Sequence, residues 1–359
     1  MEGKRYPRLI CNLSLLQSNV REVTGRCHAQ GIAVAGVVKG ANGLREISEP
    51  FARFGCDQIA SSRLSQLREL RSLGLPTMLI RVPMLSEVED VVRWSDYSLE
   101  SELCLLDAIE AECRRQNREH AVILMADLGD LREGWWDREE LIRAAVHTEG
   151  LEHVRLAGIG TNLGCYGSIL PTVGKMQELA ALAQRVEEAV GRPLEIVSGG
   201  ATSSFLLVHR HEMPAKINHL RIGEGMLLAY DYTHEYGVTD MPYLSTGVFT
   251  LQAEVLECHV KPSCPVGEHF IDAFGRRPQY EDRGMQTRSL LGVGKLDFGP
   301  MGRIIPREKN IRYIGSSSDH TIIESDRPFR PGEILEFDIS YSELLFLTLS
   351  PDVNIEYIR

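Results

Sequence analysis

The chain has 359 residues, of which 43% are hydrophobic and 25% charged, and a formal net charge of −11. That length exceeds one small core and predicts roughly two domains. The acidic balance argues against nucleic acid or an anionic membrane as a partner. The start, MEGKRYPRLICNLSLL, lacks the basic n-region, apolar stretch and cleavage site of a secretory leader. No apolar run approaches the ~18 residues that span a bilayer. The 8 cysteines are scattered without a Cys-x-x-Cys pair. A reduced, cytoplasmic protein is expected, with neither a disulfide framework nor a zinc site.

From about residue 8 to about 230, short apolar strands alternate with amphipathic helices. The strands read as LICN (9–12), IAVAGVVK (32–39), QIASS (58–62), TMLIRV (77–82), YSLES (97–101), AVILMADL (121–128), VRLAGIGTNL (154–163) and EIVSGG (195–200), with a ninth apolar segment from His219. Between them run stripes of helical period: Leu64, Leu67, Leu70 and Leu73; Leu103, Leu106, Ile109 and Cys113; Met176, Leu179, Ala183, Val186 and Val190. About eight βα repeats predict a (β/α)₈ barrel, with an open doubly wound sheet as the alternative. After about residue 235 the period becomes two, as in Phe249, Leu251, Ala253 and Val255 and again in Phe337, Ile339 and Tyr341, and prolines punctuate turns. An α/β barrel over 1–235 followed by an all-β domain over 236–359 is the expected architecture.

Lys39 closes the valine-rich strand and is followed at once by Gly40-Ala41-Asn42-Gly43. The C-terminal ends of barrel strands are where such folds place chemistry, and a desolvated amine there can attack a carbonyl. A lysine that snorkels into solvent is the plain alternative. Further strand ends carry DLGDLREG (127–134) with Arg132, NLGCYG (162–167) and SGGATSS (198–204). Glycines and hydroxyls before a helix suit a phosphate. Arg221, in RIGEG, offers only donors and would keep a heteroaromatic nitrogen facing it unprotonated. GIGTNLG (158–164) imitates a dinucleotide loop with wrong spacing, and His209, His211 and Glu212 lack metal-ligand spacing. Trp135 and Trp136 read as lid or packing residues.

In this order Lys39, DLGDLR, GGATSS, RIGEGML and DISY (338–341) resemble the alanine racemase-like pyridoxal-phosphate enzymes. DLGDLREG, CYG, VSGG, DAFG (272–275), YED (280–282) and SSDH (317–320) are most similar to their ornithine racemase branch. The resemblance covers nearly the whole chain. It implies pyridoxal 5'-phosphate bonded through its aldehyde to Lys39, with Arg221 facing the pyridine nitrogen and Asn162 among the cofactor contacts. Ser203, Ser204, the backbone of Gly223 and Glu224, and Tyr341 would hold the phosphate, and Arg132 would lie near the phenolic oxygen and the substrate. It further implies an amino-acid racemase, acting on ornithine, another basic amino acid or alanine, and a homodimer whose sites are shared between subunits.

Racemisation needs a second acid/base. Where the family has a tyrosine, this chain has Phe274. His320 and Asp319 are the first candidates to replace it, followed by Asp272, Tyr280 and Cys264. Asp272, Glu281 and Asp282 are acidic candidates for a distal ammonium. A decarboxylase of the same fold would be expected to carry a thiol where Ser318 stands, and a cofactor carrier would resemble the first domain only.

Overall fold

The computed structural model describes residues 5–272 and 274–359, so part of the DAFG run, Ala273, lies outside the described residues. The chain divides into two compact units, one of Leu16–Ser245 and the other joining the N-terminal stretch through Leu15 to Thr246–Arg359.

The N-terminal strand β1 (Arg8–Asn12) belongs to the second of these. Eight parallel strands close the barrel without it: β2 (Ala33–Val37), β3 (Gln58–Ser61), β4 (Thr77–Leu79), β5 (Tyr97–Glu100), β6 (His120–Met125), β7 (Val154–Gly160), β8 (Ile196–Ser198) and β9 (His219–Ile222). Closure is made where β9 pairs with β2, Ala33 opposite His219 and Ala35 opposite Arg221. The ninth apolar segment is therefore the last barrel strand. Ala35, Val37, Ala60, Met78, Leu99, Ile123, Met125 and Ile196 pack together on one face of the barrel strands. Alternate residues such as Leu79, Val122 and Leu124 face the other way, onto the helices. The predicted helical stripes supply that layer: Leu64, Leu67 and Leu70, then Leu106, Ile109 and Cys113, then Met176, Leu179, Ala183 and Val186 are buried. Leu73 and Val190, at the ends of their stripes, are half-buried, and Leu103 is exposed.

Ser98 and Glu100, on the opposite face of β5 from Leu99, carry a buried polar chain. The Ser98 hydroxyl donates to Glu100 Oε1 at 2.5 Å and lies 2.9 Å from His120 Nε2. Glu100 Oε2 is buried without a partner. Burial pushes the Glu100 carboxyl up to about 8 and the His120 imidazole down to about 4. A carboxyl whose pKa rises on folding from 4.5 to about 8 favours the folded state at low pH. That contribution fades as pH climbs through 8. Glu100→Gln is expected to flatten the fall in melting temperature between pH 5 and 9, a comparison that thermal unfolding across that range checks.

The second unit holds an eight-stranded sheet. Its path runs through β12 (Ile305–Pro306), β15 (Ile334–Asp338), β10 (Phe249–Pro262), β11 (Met285–Leu291), β14 (Thr321–Ser325) and β13 (Ile311–Ser316). β1 lies between β10, antiparallel, and β16 (Asn354–Ile358), parallel. Leu9 and Cys11 are fully buried, with Leu9 opposite Leu251, which itself faces Phe337. The reading of LICN as a barrel strand is thus corrected. Its alternating burial is that of a sheet covered on one face, whereas β3, β4 and β6 are buried at every residue. The unit is also not purely β. Helices occupy Lys295–Phe298 and Tyr341–Leu347. The period-two reading stops at β15, and Tyr341 opens a helix capped by Ser340 and Glu343 rather than continuing a strand.

Candidate active site

The C-terminal ends of β2, β6, β7, β8 and β9 carry the residues singled out in the barrel. Lys39 opens a single 3₁₀ turn, Lys39–Ala41, two residues beyond β2. Arg221 lies on β9, which pairs with β2, so amine and guanidinium rise from adjacent strands. Burial lowers the pKa of the Lys39 amine. Of the ionisable groups around it, Cys165 and Glu133 act to raise it, and Arg132 and Arg221 to lower it.

Arg221 is 4% exposed. Its Nη2 donates to Thr161 O at 2.8 Å and its Nη1 to the Ser198 hydroxyl. Ser198 in turn lies 2.8 Å from His219 Nδ1, and His219 Nε2 lies 3.1 Å from Gln58 Oε1. An amide oxygen only accepts, so Nε2 carries the proton, and Nδ1 is left to accept from Ser198. Burial, then Arg221, hold His219 down to about 3. The chain Arg221→Ser198→His219→Gln58 therefore runs in one direction and fixes the guanidinium. Neither Ser198 nor His219 stood out in the sequence, because a serine and a histidine on buried strands resemble ordinary core polar residues.

The loop after β6 folds back on itself. The Trp135 N–H donates to Met125 O at 2.8 Å, and Asp127 Oδ1 accepts from the amides of Gly129 and Leu131. Trp135 packs against the core while Trp136 is exposed. Arg132 at the loop tip is bonded to Glu133 through Nε and Nη2, the latter at 2.6 Å. Burial raises the Glu133 pKa, but the bond and charge of Arg132, with Arg221 behind it, outweigh that and bring it below the usual range.

Asp130, 1% exposed, clamps the next loop. Its carboxylate accepts from the amides of Gly164 and Tyr166, both at 3.0 Å. Gly164 has φ +78°, and a Cβ at Gly167 would stand 2.6 Å from Asp130 O, so both positions need glycine. Asn162 in this loop is 8% exposed, and its Nδ2 is buried without a partner. Buried donors are normally satisfied, so this one is suited to an acceptor on a bound group.

Ser203 donates to Leu163 O at 3.1 Å, joining the loops after β7 and β8. Ser204 is fully buried and donates to Gly199 O at 2.7 Å. Thr202, passed over in the sequence beside its two serines, accepts from the amides of Gly223 (3.4 Å) and Gly225 (3.2 Å). It thereby ties this turn to the RIGEG segment. The Glu224 side chain turns away to cap Tyr230 and Asp231. Burial, then Asp231, push its pKa up, which favours the uncharged carboxyl.

The remaining candidates lie in the other unit. His320 and Asp319 are exposed in the turn between β13 and β14, where Ser317 N–H donates to His320 O at 2.9 Å and Ser318 Oγ to Asp319 Oδ2. Asp272 bonds the amides of Phe274 and Arg276 and the Arg276 guanidinium; the Arg276 amide first, against the opposing effect of burial, brings its pKa down. Phe274 has the Lys295 ammonium 4.8 Å and the Arg276 guanidinium 5.2 Å from its ring centre. Tyr280 stacks edge-on with His269. Cys264, Glu281 and Asp282 lie at the surface of the same unit, Cys264 half-buried, and Tyr341 is half-buried at the head of its helix. All eight cysteines are free. No helix among the described residues is long and apolar enough to cross a membrane.

The model of the alanine racemase N-terminal domain matches residues 11–231. An ornithine racemase from Acetoanaerobium sticklandii is 36% identical over 343 residues, covering 95% of this chain and 96% of its own. A lysine racemase from Thermotoga maritima is 34% identical, covering 98% of each. Among solved structures, alanine racemase from Bartonella henselae with covalently bound pyridoxal phosphate superimposes with a TM-score of 0.73 at 16% identity, over 99% of this chain and 100% of the other. D-threonine aldolase from Filomicrobium marinum gives 0.73 at 14%, over 95% and 88%. These two likenesses show the fold. The chain belongs to the alanine racemase N-terminal domain family.

Proposed function

We propose that this chain is a pyridoxal-phosphate-dependent racemase of basic amino acids, ornithine first. The reading is supported chiefly by the pairing of β2 with β9, because β2 leads into the desolvated Lys39 and β9 carries the buried Arg221. The residues fit the cofactor: a buried amine for its aldehyde, the unpartnered Nδ2 of Asn162 for an oxygen, and a donor-only guanidinium for its ring nitrogen. Its phosphate would be held by the amides of Gly223 and Glu224 and by Ser203, with the Ser203 hydroxyl turning from Leu163 O and the Gly223 amide from Thr202. When bound, pyridoxal phosphate supplies an electron sink for the pair left on the substrate Cα.

The protein's own groups do the rest. Lys39 Nζ takes or returns a proton on one face of Cα, helped by the burial that favours its neutral form. Arg221, locked by Thr161 and Ser198, would present only donors to the ring nitrogen and so favour its unprotonated, weaker electron sink. Arg132, held by Glu133, offers its guanidinium to the substrate carboxylate. That relatives at 36% and 34% identity are an ornithine racemase and a lysine racemase supports a basic substrate. We assign the chain to the cytoplasm, in keeping with its free cysteines, and to a homodimer, which sedimentation at micromolar concentration checks.

The test is incubation of the holoprotein with single L-amino acids in deuterated water, followed by chiral separation and mass detection. D-ornithine carrying one α-deuterium is expected to form faster than D-alanine. Loss of carboxylate would identify a decarboxylase, and no exchange with any amino acid would identify a carrier.

A further inference from the structure

Phe274 stands where the family's second acid/base would be a tyrosine, so a different group must serve the face of Cα opposite Lys39. Most carboxyl groups on the C-terminal loops of the barrel are already engaged. Asp127 and Asp130 hold backbone amides, Glu133 holds Arg132, and Glu224 caps Tyr230 and Asp231. Cys165 differs. Its side chain is exposed, and its Sγ lies 3.4 Å from Asn162 Oδ1. The amides on either side of it, of Gly164 and Tyr166, are pinned to the buried Asp130 carboxylate, so the thiol is presented from a fixed loop. The other end of the same Asn162 amide is the buried, unpartnered Nδ2. A group bound at that nitrogen stands next to the thiol. Cys165 is also within electrostatic reach of Lys39, Arg132 and Arg221.

We propose that Cys165 is the second catalytic acid/base of this racemase, working across the substrate from Lys39. The inference rests on the racemase reading above. In one direction the Cys165 thiolate forms an S–H bond as the Cα–H bond breaks. The electron pair stays on Cα until the Lys39 ammonium delivers a proton to the opposite face, leaving a thiol and a neutral amine. The reverse reaction, or exchange with water, resets both. A thiol suits this exchange because its proton leaves closer to neutrality than that of a hydroxyl or phenol.

Wild-type, Cys165→Ser and Cys165→Ala holoenzymes, each with its cofactor absorbance confirmed, are incubated with L- and D-ornithine in deuterated water. Removing one of two bases is expected to slow inversion in both directions by ~10²-fold or more. Deuterium uptake should persist for the one enantiomer whose α-hydrogen faces Lys39. Inversion within threefold of wild type overturns the proposal, as does equal loss of uptake from both enantiomers. Wild-type protein that inverts no amino acid removes the racemase reading and the proposal with it. In the apoprotein, Cys165 should be alkylated by iodoacetamide, and adding pyridoxal phosphate with ornithine should slow that labelling at least fivefold while leaving Cys104, also exposed, unchanged. Equal labelling of Cys165 with and without them overturns the proposal independently of turnover.

Discussion

Lys39→Ala is expected to lower racemisation by at least ~10⁴-fold, the upper range for a positioned general acid/base compounded by loss of the nucleophilic amine. Borohydride reduction of the variant with pyridoxal phosphate should leave the peptide around residue 39 unlabelled, whereas the wild-type peptide should carry the reduced adduct. Lys39→Arg should be as inactive, because a guanidinium does not give up its proton at neutral pH. The argument is one of position. Lys39 leaves a fully apolar strand for a single 3₁₀ turn, and burial makes its charged form costly. Activity of either variant within tenfold of wild type would place the chemistry elsewhere.

The second large effect is expected at Arg221. Arg221→Glu should slow racemisation by ~10²–10³-fold, the size seen when a preorganised donor is removed from a buried site. It should also raise the proportion of keto-acid side product. A carboxyl facing the ring nitrogen would share a proton with it, giving a stronger electron sink and a longer-lived carbanion. Ser198→Ala should move both quantities the same way but less. It leaves an Arg221 donor and the Nδ1 of His219 without the hydroxyl between them, a loss of about 1–3 kcal/mol. Product analysis by chiral and keto-acid assay checks both variants, and an unchanged product ratio in Arg221→Glu would remove the ring nitrogen from the account.

Much of the barrel was legible because its signals are local. Continuous apolar runs ending in glycine-rich turns marked the strands, and stripes at helical spacing marked the layer around them. Lys39, Arg132 and Arg221 could be singled out because each follows or ends such a run. The position of LICN before the first helix imitates a first βα unit. The alternation of Leu9 and Cys11 with Arg8, Ile10 and Asn12 was the available sign of a one-faced sheet. The period of two in Phe337 and Ile339 runs on into Tyr341 and hides the helix that the Ser340 and Glu343 capping pair begins there.

By itself, the sequence determined the alternation of strand and helix, the positions of the chemistry-bearing strand ends and the family to which they belong, since each depends on neighbours a few residues away. Only the tertiary structure decided that β1 pairs with β10 and β16 and that β9 closes onto β2. It also decided that Ser198, His219 and Gln58 stand behind Arg221, and that Asp130 holds the loop bearing Cys165. Those are pairings between residues tens to hundreds of positions apart. Hydrogen-bond partners at such separations are selected by how buried surfaces fit together, and no local pattern records that fit.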